Sequence, residues 1–461
     1  MNTRRDFLKT AGVASAAFVG LRALVNNPLG AATSSRLSPR FGPLSDAAGE
    51  LLRLPEGFQY TAFSRTGEEM DDGLLVPGMH DGMAAFEGPE GKTLLVRNHE
   101  LESAWVDRSP FGRGNERLSQ VPRDSLYDDG GGVQPCIGGT STLVFDTGSQ
   151  KLEKHFLSLV GTQRNCAGGL TPWGTWISCE EVNAEREPHE SRYHGYNFEV
   201  TPSAEPGLVK PVPLKAMGRF RHEAVAIEPY SGAVYQTEDL GDGLLYRFLP
   251  DKPGELAAGG RLQALALKDL RRADTRNWPG VPTMPVGQPL EVEWIDLDNV
   301  DSAFLDLRHR GRVAGAALFA RGEGAWWAGN EAYFAMTNGG PNMMGQIFRY
   351  RPSRYEGTEM ESQDPPRLEL FAEPNNTRYL QNCDNLTIAP WGDLILCEDT
   401  KGYCRIIGVD PLGQFYVIAE NPVVDRELAG ACFSPDGSTL FVNIQTPGIT
   451  LAITGPWPSA G

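Results

Sequence analysis

The sequence runs to 461 residues, and its 40% hydrophobic and 22% charged composition supports a buried core, which excludes wholesale disorder and a fibrous protein. Asp and Glu outnumber Lys and Arg by 59 to 42, a formal net charge of −17. Such a field repels nucleic-acid backbones and anionic membrane surfaces, and it admits an anionic substrate only where cations or clustered arginines reverse it locally.

The chain opens on Thr3-Arg4-Arg5-Asp6-Phe7-Leu8-Lys9, then the apolar run Ala11 to Val25 and the small residues Gly30, Ala31 and Ala32. A charged start, a short apolar stretch and a small-residue cleavage site make residues 1–32 a twin-arginine export signal. Arg22 interrupts the apolar run, which falls short of the roughly 20 residues a membrane span requires. The expectation is a monomer handed folded to the twin-arginine translocase and released to the periplasm or beyond. No stable membrane insertion and no nucleic-acid partner are expected, and residues 33–461 form one domain. The seven cysteines, Cys136, Cys166, Cys179, Cys383, Cys397, Cys404 and Cys432, are odd in number and too sparse for a disulfide scaffold.

Past residue 33 the chain alternates short β-branched and aromatic runs with Gly/Pro turns, the pattern of an all-β protein. A unit of about twenty residues recurs irregularly: polar cluster, strand, tight turn, strand, polar cluster. In chain order it runs from His80 to Glu100, Asn165 to Glu181, His222 to Asp239, Arg321 to Asn338, Cys383 to Asp399 and Glu427 to Gln445. In each, the hairpin brings the polar group before its first strand to the polar group after its second. Six such hairpins predict a six-bladed β-propeller with all the polar ends at one mouth of the channel, and the inserts 102–135, 182–220, 252–312 and 352–380 become loops or outer strands.

Aligning Pro172-Trp173-Gly174 on Pro390-Trp391-Gly392 sets Cys179-Glu180-Glu181 over Cys397-Glu398-Asp399, and Cys166 over Asp384. Glu238 and Asp239 stand at the same level of the third hairpin, and Glu100, Glu223, Glu323 and Glu427 join from their neighbours. Carboxylates gathered without comparable Lys or Arg repel one another, and bound metal is the natural remedy. Oxygen donors suit hard ions such as Ca²⁺ or Fe³⁺, whereas a thiolate at Cys179 selects a transition metal. Cys166 and Cys179 face each other across one hairpin, so a disulfide competes with that role. Arg321 stands beside Glu323, where a guanidinium either binds a phosphoryl group or forms an ion pair.

At these residues the chain resembles the PhoX family of secreted bacterial alkaline phosphatases. The likeness is carried by Thr3 to Lys9, Arg97-Asn98-His99-Glu100, Gly168 to Trp176 leading into Cys179-Glu180-Glu181, Arg219 to Ile227, Tyr235 to Asp239, Arg321 to Glu323, Asp384-Asn385-Leu386 and Leu428 to Gln445. It implies a six-bladed propeller whose Fe³⁺ and Ca²⁺ cluster hydrolyses phosphate monoesters. By motif, the metal ligands are Glu100, Cys179, Glu223 and Glu323, with Glu180, Glu181, Glu238, Asp239 and Asp384 beside them. The resemblance further implies that Arg321 and Glu223 carry catalysis and that Arg321 and Asn98 contact the substrate. The intervals between hairpins are shorter than in the well-known members of the family. Two rivals are a calcium propeller acting on lactones or phosphotriesters and a binding propeller without turnover.

Overall fold

A computed structural model describes residue 37 and residues 40–182, 186, 188–281 and 283–459. The export signal predicted over residues 1–32 lies outside the described residues. The chain is all-β and propeller-like; its longest described helix spans only Leu307–Ala314, within the 252–312 insert.

All six predicted hairpins are present, with first strands His80–Glu87, Asn165–Leu170, His222–Ile227, Gly322–Ala328, Cys383–Ile388 and Leu428–Phe433. These inner strands pack side by side in chain order, and the last returns to the first to close a ring. They are almost wholly buried because each touches a neighbouring inner strand on both sides. Closure comes from the N-terminal segment. Gln59–Phe63 pairs antiparallel with Ile449–Thr454 at the outside of the final sheet, Phe63 opposite Thr450, so an early strand and a late one are tied by backbone hydrogen bonds.

The sheets do not separate into six. Three have four strands, one has three and one has nine, besides a two-stranded ribbon. The nine-stranded sheet holds the third and fourth hairpins, fused because Leu290–Asp296 pairs with Gly260–Leu267 on one side and begins a short ladder with Arg367–Ala372 on the other. Three of the four predicted inserts thus supply outer strands, while 102–135 holds four short 3₁₀ helices and no strand. Apolar side chains pack between neighbouring sheets, and Trp176 is buried there with Trp173, Trp326, Trp327 and Trp391 at the margins. No helix among the described residues is long and apolar enough to cross a membrane.

Candidate active site

The same local geometry builds the mouth six times. In each hairpin the residue after the outgoing strand donates its N–H to the carbonyl of the residue before the inner strand. These pairs are Glu100 to Met79, Glu181 to Arg164, Asp239 to Arg221, Thr337 to Arg321, Asp399 to Asn382 and Gln445 to Glu427. Directly after this closure the ladder slips, between His80 and Met83, Asn165 and Gly168, His222 and Val225, Gly322 and Ala325, Cys383 and Leu386, and Ala429 and Cys432. A bulge frees a residue from pairing and redirects its side chain. The second residues of the inner strands are Asp81, Cys166, Glu223, Glu323 and Asp384, with Ala429 in the last, where Glu427 supplies a carboxylate from just outside the strand.

Potential ligand atoms fall into four overlapping triads, each within 4.8 Å: Asp81, Glu100 and Cys166; Cys166, Glu181 and Glu223; Glu223, Glu323 and Asp384; Asp384, Asp399 and Glu427. Cys166, Glu223 and Asp384 are shared, which links the triads into one arc. Over it stand three arginines, each two residues before the second residue of an inner strand. Arg164 bridges Glu100, at 2.5 Å, and Glu181, while Arg221 bridges Glu181 and Asp239. Asp239 grips Arg321 with two bonds of 2.7 and 2.9 Å, and Arg321 Nη2 reaches Glu323 Oε1 at 2.9 Å. Met79, Arg164, Arg321 and Asn382, all in that pre-strand position, hold φ of 47, 44, 54 and 52°, a region that non-glycine residues seldom enter and that surrounding contacts must enforce.

Asp81, Glu100, Glu181, Glu223, Asp239, Glu323, Asp384, Asp399 and Glu427 set nine carboxyl groups against three guanidiniums. Burial, reinforced by the other carboxylates, raises Asp81, Glu223, Glu323 and Glu427 far above the ordinary carboxyl range, and pushes Asp384 up to about 7. Burial opposes ionisation of Asp239 as well, but the Arg321 fork holds it below its usual value. Glu223 is the sharpest case: it is fully buried, and neither carboxylate oxygen has a hydrogen-bond partner among the described residues. An unpaired buried carboxyl group in a ring of others has the chemistry of a cation ligand.

Residues 39–448 match the family model for alkaline phosphatase PhoX. The chain belongs to the PhoX family. Membership makes it a phosphatase of the PhoX type, acting on phosphate esters. Among solved structures, it resembles Pseudomonas fluorescens PhoX in complex with vanadate, a transition state analogue, at 18% identity and a TM-score of 0.65, covering 90% of this chain and 97% of that one. That likeness supports the fold. A gluconolactonase from Xanthomonas campestris aligns at 13% identity and a TM-score of 0.40, over 91% of this chain and 100% of its own. The periplasmic gluconolactonase of Pseudomonas aeruginosa does so at 15% and 0.37, over 84% and 89%. No curated protein matches the sequence.

Of the residues that the PhoX resemblance assigned, Glu100, Glu181, Glu223, Glu323 and Asp384 meet in the arc. Cys179 does not: it shares strand parity with Ile177 and lies with it in the apolar core, and both Cys179 and Cys166 are free thiols. The thiol at the mouth is Cys166. Glu180 points away, accepting from Gln163 N, Gly195 N, Tyr196 N and His194 Nδ1. Glu238 accepts from Leu244 N and Tyr246 Oη and lies outside the triads. Asp239 is taken up by Arg321. Asn98 is fully buried, donating to the carbonyls of Cys166 and Ala167 at 3.1 and 2.6 Å and accepting from Trp176 and Ser178, so it seats the Cys166 bulge and does not reach the mouth. His99 and His222 are buried and kept neutral by desolvation, His99 between Gly78 O and Ser141 Oγ and His222 on Gly218 O.

Gly82 and Gly324 follow Asp81 and Glu323 of the triads. A Cβ at Gly82 would stand 2.5 Å from Ala167 Cα, and one at Gly324 2.5 Å from Leu386 N, both on the next inner strand. Their absence lets adjacent strands approach closely enough for the triads to form. Gly324→Ala is expected to cost about 1–3 kcal/mol in urea denaturation, because the obstruction is backbone and cannot rotate aside. It should also lower the number of metal ions retained per chain, as elemental analysis would read.

Proposed function

We propose that the carboxylate arc holds Fe³⁺ and Ca²⁺ and that the chain uses them to hydrolyse phosphate monoesters outside the cytoplasm. The observation that carries the reading is Glu223, with both oxygens buried and unpartnered at the junction of two triads. Glu100, Glu181, Glu223, Glu323 and Asp384, joined by Asp81, Asp399 and Glu427, are oxygen donors suited to hard cations, and the Cys166 thiol favours a transition ion at its part of the arc. When bound, such cations supply Lewis-acid polarisation of the phosphoryl group and offset the charge that develops on its oxygens.

The chain's own contribution is to position the ester. Asp239 occupies Nε and Nη2 of Arg321, which fixes the plane of the guanidinium. Nη1 has no partner among the described residues, and the side chain is 39% exposed, so Arg321 presents a donor to a phosphoryl oxygen arriving from solvent. Arg221 and Arg164, each fixed on buried carboxylates, extend the same cationic rim and reverse locally the repulsion of a strongly acidic protein. Glu223 supports catalysis as a shared ligand.

Counting the nine-stranded sheet as two blades joined through Leu290–Asp296 gives a six-bladed propeller, a count supported by six inner strands in one ring. Residues 1–32 are proposed to direct export through the twin-arginine translocase to the periplasm or beyond, with 33–461 as one monomeric domain.

The test is elemental analysis for iron and calcium on the purified protein, with p-nitrophenyl phosphate hydrolysis at alkaline pH. Arg321→Ala is expected to raise KM for the ester and weaken inhibition by phosphate by about tenfold or more, the scale of one charge-assisted hydrogen bond, with iron and calcium unchanged. Unaltered KM and phosphate inhibition would remove Arg321 from the substrate site, and absence of both metals from active protein would remove the cluster.

A further inference from the structure

Phosphoester hydrolysis leaves unused a second buried group on the far side of Glu180. Asp128 and Cys136 come from the stretch between the first two hairpins, and His194 from the segment leading into the strand Asn197–Val200. All three are buried, and their ligand-type atoms lie within 4.8 Å of one another. His194 Nε2 is 3.5 Å from Asp128 Oδ2 and 3.6 Å from Cys136 Sγ.

The other face of the imidazole is spoken for. Nδ1 meets Glu180 Oε1 at 2.6 Å, and Glu180 is itself fixed by the backbone N–H groups of Gln163, Gly195 and Tyr196. A carboxylate on one ring nitrogen sets the tautomer and turns the opposite nitrogen toward a metal, an arrangement found around most metal-binding histidines. Asp128 is likewise held, by Gly130 N, Ser191 N, Ser191 Oγ and Arg192 N at 2.7–2.8 Å. One nitrogen, one sulfur and one oxygen donor match a borderline divalent ion and are a poor set for Ca²⁺.

We propose that Asp128, Cys136 and His194 bind one divalent transition ion of the Zn²⁺ class at a site separate from the carboxylate arc. Binding displaces the Cys136 thiol proton, and any proton on His194 Nε2, to solvent, leaving thiolate and neutral imidazole as ligands. The ion pins two inserted segments to the end of the second hairpin, where Glu180 is followed directly by Glu181 of the arc. Its role is therefore to hold that edge of the phosphatase site.

The probe is Co²⁺, whose thiolate complexes give a near-ultraviolet charge-transfer band. Cys166→Ser is used as the background so that the arc contributes no thiolate. Metal-stripped Cys166→Ser is expected to bind one Co²⁺ with that band, displaceable by Zn²⁺, and adding Glu223→Gln should leave it in place. Adding Cys136→Ser should abolish it, and adding His194→Gln should weaken Co²⁺ binding at least about tenfold. Near-ultraviolet circular dichroism reports whether each variant folds; if the Cys136 variant does not, His194→Gln decides. A Cys166→Ser protein without the band, a band that survives Cys136→Ser, or one whose Co²⁺ affinity is unmoved by His194→Gln, overturns the proposal.

Discussion

Glu223→Gln is expected to strip the arc of its cations and to lower kcat/KM for a phosphate monoester by about a thousandfold or more. The amide matches the carboxylate in shape, so the fully buried side chain still fits between the neighbouring strands. Its charge is gone, however, and Glu223 is shared by two triads, so a single change weakens both. Removing one donor that stabilises transition-state charge commonly costs a hundred- to a thousandfold, and here ligands are lost together with the cations they hold. Stability should move the other way. In chelator, folding forces Glu223 to keep its proton near neutral pH in a buried place where its oxygens meet no donor, a burden that a neutral amide, with no proton to take up, carries less of. Glu223→Gln should therefore melt above the wild type without metal and below it with metal. Elemental analysis, an ester assay and paired melting curves read the three effects. Wild-type metal content in the variant would show that Glu223 is not a ligand.

The architecture was legible because each hairpin carries its own turn, strands and polar ends in one short stretch, and all six stretches fold as read. Their grouping into sheets was not, since the fusion of two blades depends on Leu290–Asp296 reaching a strand more than seventy residues later in the chain. The clustering was legible where a carboxylate follows or begins a strand, as with Glu100, Glu181, Glu223, Glu323 and Asp384. It was misread where the bulges decide. Cys179 and Cys166 are equally plausible thiols in the sequence, but the alignment that put Cys166 over Asp384 already set it in register with Glu223, Glu323 and Asp81. Cys179 aligns instead with Cys397, which is also in an apolar core. The same register exposes Arg164 and Arg221: Arg164-Asn165-Cys166 and Arg221-His222-Glu223 repeat the spacing of Arg321-Gly322-Glu323. Asp239 and Asn98 carry the right chemistry for a ligand and a substrate contact, and only packing reveals that Arg321 and the Cys166 bulge have claimed them.

Metal-free protein is expected to lose stability as pH rises from 5 to 8, and metal is expected to restore it. A carboxyl group whose pKa is raised by folding keeps its proton longer in the folded state than in the unfolded one. Between the two pKa values the folded state holds more protons, so stability falls with increasing pH. The window opens near the ordinary carboxyl range around pH 4, extends to about 7 for Asp384, and reaches further for Asp81, Glu223, Glu323 and Glu427. A rise from 3.8 to about 7 corresponds to about 4 kcal/mol for Asp384 alone. With several such groups titrating together, a drop in Tm on the order of 10 °C is expected in a chain of this size. Asp239 works in the opposite sense, since its lowered pKa withdraws stability only as the solution becomes strongly acidic. Cations bound by the ionised carboxylates reverse the penalty, because they attach to the form that the empty arc disfavours. Melting curves at pH 5 and pH 8, with EDTA and with Ca²⁺ and Fe³⁺, separate the cases. Stripped protein that is as stable at pH 8 as at pH 5 would mean that these carboxyl groups are not confined together in the folded chain, and the arc would lose its claim to be a cation site.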